Sequence, residues 1–390
     1  MSKIIILLVI LITFGFGAWY LVSNNTFSPT KLNPFQKTVD LKVGILAPLS
    51  GNLADYGTEL RNGAALAADE LNAQGGVNIS FDVKDEKGDP ELAKTLATEL
   101  SNDKTVSAVI GPITSGNALV AGPIFQNNKL VMISPAATNP KITDLGDYIY
   151  RVCPSDAQQG VDLAHFAVEA RKAQRIAIMV DIDEGSRAYS EGLADVFTAE
   201  MAKLGVTPAL TLNYKTGDTN FSAQSAAIKK AGDIDLIFIP GYSAEAALIS
   251  QQLKKDGLNI TVVGGDGVGE GVTNGKVISL GGNAVEGLIS TAFFDTKNPN
   301  SDVQKFVKDY TERFGSAPSW VAANAYDAMK ILANAAKKGG SVDREVIKNQ
   351  VSATRNFKSL GREISFNEDG DVSTPIMKII IKNGSYEILH

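Results

Sequence analysis

The stretch LKVGILAPLSGNLADYGTELRNGAALAADELNAQGG, residues 41–76, decides the fold class. Its first eight residues are nearly all apolar and end at Pro48, the pattern of a short strand buried on both faces. Beyond the loop, Leu60, Ala64, Ala68 and Leu71 recur at three- and four-residue intervals, the apolar stripe of an amphipathic helix. The same strand-like grammar returns in TVSAVIGP (105–112), KLVMISP (129–135), RIAIMVD (175–181), DLIFIPG (235–241) and ITVVGGD (260–266). Each run is short, rich in Ile and Val, and ends in Gly, Pro or Asp. Helical patterns separate them, among them Ala246, Ile249 and Leu253. Such alternation predicts βαβ units and a doubly wound α/β fold.

The units outnumber what one open sheet comfortably holds, and the alternation restarts near Arg175 after an irregular stretch over 139–160. Two similar lobes, each around its own parallel sheet, are the economical expectation for 390 residues. In the C-terminal third, helical patterns over 303–314 and 321–337 precede the strand-like REISF (362–366) and MKIIIK (377–382). No short-period repeat or low-complexity tract interrupts the chain.

The N-terminus differs. Ile4 to Val22 is an uncharged run of 19 residues that follows Lys3 and ends near Trp19 and Tyr20. That length spans a bilayer as a helix, and the aromatic pair suits an interface. Residues 1–22 are therefore expected to form one transmembrane helix, with cleavage as a signal peptide the alternative. Residues 23–39, polar and with two prolines, read as a linker to an exported body.

Composition narrows the chemistry. Hydrophobic residues make up 44% and charged residues 21%, ordinary for a soluble body with a sizeable core. A formal net charge of −6 argues against nucleic acid as a partner, which calls for clustered Lys and Arg. With Cys153 the only cysteine and His165 and His390 the only histidines, neither an intrachain disulfide nor a zinc site is expected, and no cofactor motif is found. GKV at Gly275 lacks the spacing of a phosphate loop, GGDGVGEG (264–271) misses the dinucleotide fingerprint, and Ser115 stands in no nucleophile elbow. Asp181, Asp183 and Glu184 fail the calcium-loop pattern. An enzyme is the weaker class.

What remains is a set of polar loops between strand and helix, where ligands of open α/β sheets bind. GPITSG (111–116) opens a helix, and its free N–H groups with the Ser115 hydroxyl suit a carboxylate, unless Ser115 is merely the cap. Thr138 in ISPAATNP and Asp266 in GGDGVG sit in equivalent loops, with turn stabilisation as the plain alternative for both. Tyr56, Tyr189 and Tyr242 lie at element boundaries, as core or as pocket wall.

These residues carry a resemblance. VGILAPLSGNLADYG, NGAALAADELNAQGGV, IGPITSG, MISPAATNP, QRIAIM, YSEGL and GGDGVG are similar to segments of the leucine/isoleucine/valine-binding proteins of bacterial branched-chain amino-acid transporters. The likeness runs from Lys42 to the C-terminus. It implies a type I periplasmic binding protein fold, two lobes joined by three crossovers near Asp156, Leu288 and Gly361. Residues 40–156 with 289–361 then form lobe 1, and 157–288 with 362–390 lobe 2. It also implies that Ser115 and Thr138 hold a ligand carboxylate, while the Ala136 carbonyl and Asp266 receive its ammonium. Tyr56, Tyr189 and Tyr242 become pocket walls. The chain departs from the pattern in three places: Asp266 stands where the best-known members have Glu, the loop before Tyr189 is about four residues longer, and the family disulfide is missing. The implied function is capture of an amino acid, branched aliphatic first, and delivery to an ABC transporter permease. A membrane-tethered amino-acid or amide sensor is the alternative.

Overall fold

The computed structural model describes residues 38–389. The expected anchor (1–22) and the linker as far as residue 37 lie outside them. Among the described residues no helix is long and apolar enough to cross a membrane.

The first half alternates as the sequence predicts: β1 (Val39–Ala47), α1 (Ala54–Gln74), β2 (Val77–Asp85), α2 (Pro90–Asn102), β3 (Val106–Ile110), α3 (Ser115–Asn127), β4 (Val131–Ser134) and β5 (Ile149–Arg151). All neighbours in this sheet are parallel, in the order β2-β1-β3-β4-β5. Its inner strands β3 and β4 are buried along their whole length, hence their uninterrupted apolar runs. Leu60, Ala64, Ala68 and Leu71 all turn inward from α1.

The second half repeats the scheme. Its elements are α4 (Asp156–His165), β6 (Ile176–Asp181), α5 (Arg187–Lys203), β7 (Leu210–Tyr214), α6 (Ser222–Ala231), β8 (Leu236–Ile239), α7 (Ser243–Lys255), β9 (Thr261–Gly264), α8 (Asp266–Thr273), α9 (Lys276–Gly281) and β10 (Ile289–Ala292). The parallel part of this sheet runs β7-β6-β8-β9-β10, the same strand order as the first.

The chain then returns to the first sheet. α10 (Ser301–Phe314), α11 (Trp320–Gly339) and α12 (Arg344–Ser352) follow, and α11 packs along α1 and against β1, β3 and β4. Gly63 permits that packing: a Cβ there would come within 2.1 Å of the Ala322 carbonyl oxygen on α11. Ser319 and Asp343 cap the last two helices by accepting backbone N–H bonds. A small hairpin, β11 (Phe357–Ser359) and β12 (Arg362–Ile364), precedes β13 (Met377–Lys382) and β14 (Ser385–Leu389), which close the second sheet as antiparallel edge strands.

Two expected boundaries move. Ile289–Ala292 is a strand of the second sheet, held between β9 and β13, so the chain leaves that sheet after Ala292 and not at Leu288. Likewise, the chain has not left the first lobe at Gly361. The Arg362 guanidinium is anchored 2.6 Å from the wholly buried Asp327 of α11, and Asp371 pairs with Arg151 at the end of β5. The return to the second sheet falls between Asp371 and Met377. A buried guanidinium or carboxylate goes where its partner is, and apolar periodicity carries no record of that pairing.

Candidate functional site

In each sheet the strand order reverses beside the first-laid strand, between β1 and β3 and between β6 and β8. That reversal leaves a crevice at the carboxyl ends of the strands. The two crevices face each other. Tyr56 follows β1, Ser115 follows β3 and Ala136 follows β4; Tyr189, Tyr242 and Asp266 follow β6, β8 and β9. These six residues line one cavity with about 280 Å³ of empty space, completed by Ile113, Gly267, Trp320 and Val321.

The first-sheet side is backbone-rich and rigid. Thr114, not Ser115, is the cap of α3, so Ser115 is its first helical residue and its hydroxyl is free for other work. That hydroxyl accepts a long bond of 3.3 Å from the Asn139 N–H. The loop after β4 is pinned from three directions. Ser134 accepts from the Ala137 N–H at 2.9 Å, Asn324 donates to the Pro135 carbonyl at 2.8 Å, and the buried Arg151 donates to the carbonyls of Thr138 and Asn139 at 2.9 and 2.7 Å. Ala136 thus sits on a preset backbone.

Thr138 is placed otherwise than expected. It is fully buried, stands behind the cavity wall, and its hydroxyl lies 2.9 Å from Asp156 Oδ2. Asp156, the first residue of α4, is wholly buried as well.

The second-sheet side supplies the charge. Asp266 begins α8, where the aligned N–H groups favour an anion, and it is 3% exposed. Its Oδ1 accepts from the Tyr189 hydroxyl at 2.8 Å and from Gln159 Nε2 at 2.7 Å. Burial pushes its carboxyl up to about 6, against the pull of those two hydrogen bonds. Three glycines around it are steric necessities. A Cβ on Gly265 would meet the Tyr189 hydroxyl at 2.7 Å, on Gly267 the Gly241 carbonyl at 2.5 Å, and on Gly269 the Thr291 carbonyl at 1.7 Å. GGDGVGEG is therefore a close-packing motif that seats a carboxylate.

Aromatic rings close the cavity. Tyr56 and Tyr189 pack on Tyr242 with ring centroids 5.3 and 5.5 Å apart, and Trp320 packs edge-on to Phe293 at 4.9 Å. Several of these contacts bridge the two sheets: the Tyr56 hydroxyl donates to the Gly267 carbonyl at 2.7 Å, and Trp320 Nε1 donates to the Asp266 carbonyl at 3.2 Å. With the hydroxyls of Tyr56 and Tyr189 engaged by protein atoms, their rings are what remains for a ligand to touch.

Sequence reasoning missed Gln159, Arg151 and Trp320. Only Trp320 left a trace: the single Trp beyond the N-terminal segment, just after the helix-capping Ser319. Cys153 is buried, its sulfur 3.5 Å from the Ala137 carbonyl, as a small hydrophobe would be. Asp181 accepts from the Asp183 and Thr216 N–H groups, which makes it a loop brace.

A family model described as "Periplasmic binding protein" matches residues 40–384. The Leu/Ile/Val-binding protein BraC3 of Rhizobium johnstonii is 31% identical over 86% of this chain and 89% of its own. Leu/Ile/Val-binding protein homolog 1 of Brucella suis is 33% identical over 86% and 88%. Among solved structures, the leucine-binding protein LivK of Thermotoga maritima superposes with a TM-score of 0.81 at 31% identity, covering 90% of this chain and 98% of that one. LivJ of Streptococcus pneumoniae, a branched-chain amino-acid transporter substrate-binding protein in complex with isoleucine, gives 0.81 at 29% identity over 90% and 99%.

Proposed function

The chain belongs to the periplasmic binding protein family, and from that premise we propose that it is an extracytoplasmic receptor for an aliphatic α-amino acid. It captures the ligand between its two lobes and delivers it to the permease of an ABC transporter. One observation carries the reading: a buried carboxylate, Asp266, on a small cavity wall opposite Ser115 and the fixed backbone of Ala136, with aromatic rings between. A zwitterion entering such a space must have both charges met, because an unpaired buried charge costs several kcal/mol. Asp266 and the Ala136 carbonyl take the ammonium; Ser115 with the N–H groups at the start of α3 takes the carboxylate. Ile113, Val321, Trp320 and the tyrosine rings are left for an apolar side chain. The leucine-binding protein LivK and the isoleucine complex of LivJ support this assignment.

Capture and release follow from the split construction. The carboxylate-binding groups and the Ala136 carbonyl belong to the first sheet, while Asp266, the charged partner of the ammonium, belongs to the second, so both charges are met only with the lobes together. Ligand then favours the closed form by its differential affinity. The three chain passages between the sheets are the hinge about which the lobes close. An N-terminal anchor in residues 1–22 is proposed to keep the receptor at the membrane.

Calorimetry of residues 38–390 with L-leucine and L-alanine tests the reading. Leucine buries three more carbons, worth about 0.8 kcal/mol each, so it should bind roughly 50-fold more tightly. Equal affinities, or a preference for charged side chains, would remove the aliphatic assignment.

A further inference from the structure

Behind Asp266 lies a second carboxylate, joined to it through one amide. Asp156 is wholly buried and is not part of the cavity wall. Its Oδ2 lies 2.9 Å from the Thr138 hydroxyl and its Oδ1 2.8 Å from Gln159 Nε2. The same Nε2 is 2.7 Å from Asp266 Oδ1. The orientation of that amide is fixed from its other end, because Gln159 Oε1 accepts the Asp266 N–H at 2.9 Å and the Thr291 hydroxyl. Only an oxygen can accept from a backbone N–H, so the nitrogen must face the two acids and give each one hydrogen.

Two buried carboxylates joined through one amide cannot both stay ionised. The surroundings decide which keeps a proton. Asp266 has the Tyr189 hydroxyl as a further donor and faces the cavity into which a cation comes. Among the described residues the cationic side chain acting on Asp156 is Arg151, whose guanidinium is already committed to Asp371 and to the carbonyls of Thr138 and Asn139. Asp266 is the carboxylate facing it, with the Tyr189 hydroxyl and the Cys153 thiol also within its field.

We propose that Asp156 works as a neutral carboxylic acid, a positioning residue that aims Asp266 through Gln159 and sets the Thr138 hydroxyl. The acid donates its proton from Oδ2 to Thr138 Oγ1, and its Oδ1 remains an acceptor for Gln159. Thr138 then no longer spends its own proton on Asp156. Burial, with Asp266 adding to it, holds the Asp156 carboxyl well above the usual range, in keeping with this state. The inference rests on the amino-acid reading of the cavity.

The test is Asp156→Asn beside Asp156→Ala, each titrated with L-leucine from neutral to alkaline pH. Asparagine reproduces the neutral acid, an N–H donor toward Thr138 and a carbonyl toward Gln159. Asp156→Asn should therefore bind leucine within about threefold of the unaltered protein at pH 7, while Asp156→Ala loses at least about tenfold. Alkali should separate the two forms further. The unaltered protein loses affinity as Asp156 gives up its proton, whereas Asp156→Asn declines only when leucine loses its own ammonium proton. A loss in Asp156→Asn as large as in Asp156→Ala, or alkaline limbs that coincide, would overturn the inference. Should the variants fold poorly, carboxyl-labelled aspartate in the unaltered protein answers directly by carbon NMR. One aspartate resonance in the neutral-acid position at pH 7 supports the proposal, and none overturns it. That measurement needs no ligand, so failure of leucine to bind would count against the receptor reading alone.

Discussion

Asp266 concentrates the site's electrostatics, and its surroundings set two expectations. Asp266→Asn keeps an oxygen to accept from Gln159 and Tyr189 but can carry no charge. The ligand ammonium would then be stranded in a dry cavity, at a cost of about 2–5 kcal/mol, or roughly 30-fold to several-thousand-fold in affinity. Ser115→Ala should cost less, about 1–3 kcal/mol, because backbone N–H groups still face the carboxylate. Calorimetry on both variants, with unfolding followed in parallel, separates lost binding from lost fold. The second expectation concerns pH. In the ligand-free cavity the Asp266 carboxyl is raised to about 6, so below that pH a proton must leave before an ammonium can pair with it. Affinity is thus fully present above about pH 6 and is lost as pH falls through it, by up to tenfold per unit. Onset near pH 4 instead would mean that the free protein holds Asp266 in water, with its lobes apart. The residue types at this site were legible in the sequence as polar loops after strands. The roles proposed for Ser115, Asp266 and the tyrosines rest on the resemblance, which gave Thr138 no partner within the protein. Its hydroxyl is held by Asp156, 18 positions along the chain, and no spacing rule encodes such a contact.

At the scale of elements, the fold was readable where burial writes a periodic pattern. The strands of both sheets and the inward face of α1 show it plainly. The return of the chain was less readable, because β10 and the stretch around Arg362 and Asp371 take their places from pairings distant in sequence. The short helix α8 shows how an element serves the site. Asp266 opens it, and it lies so close to β10 that Gly269 has no room for a side chain: a Cβ would stand 1.7 Å from the Thr291 carbonyl oxygen. That oxygen is backbone in a paired strand and cannot move aside cheaply. Gly269→Ala should therefore push α8 off the sheet, lower stability by about 1–3 kcal/mol and weaken ligand binding by displacing Asp266. Gly205→Ala is the contrast. Its φ is +79° with nothing within 4 Å, so only local strain of about 1–2 kcal/mol is expected, without loss of affinity. Thermal unfolding with and without leucine measures both terms; equal ratios of affinity to stability loss in the two variants would deny α8 its role.

At the scale of the molecule, two sheets of one strand order present their crevices to each other, and few bonds hold the crevices together. The Tyr56 hydroxyl reaches Gly267, Trp320 Nε1 reaches the Asp266 carbonyl at 3.2 Å, Asn139 reaches the Ala188 carbonyl at 2.7 Å, and Lys276 pairs with Asp55. Each is a modest hydrogen bond or an exposed ion pair, worth about 0.5–1.5 kcal/mol or less. A closed form held so lightly can be opened by a permease and restored by ligand. Trp320 is the informative bond, since it joins the first lobe to the backbone of Asp266, the residue proposed to bind the ammonium. Trp320→Phe keeps an aromatic ring against Phe293 and removes only the N–H donor. Leucine affinity should fall by about 2- to 12-fold, the range of one net hydrogen bond, with stability of the ligand-free protein nearly unchanged. Small-angle scattering should show leucine still compacting the variant, but at higher ligand concentration than the unaltered protein needs. Unchanged affinity would mean that the bond forms equally in open and closed states, and that closure draws on the tyrosine side of the cavity instead.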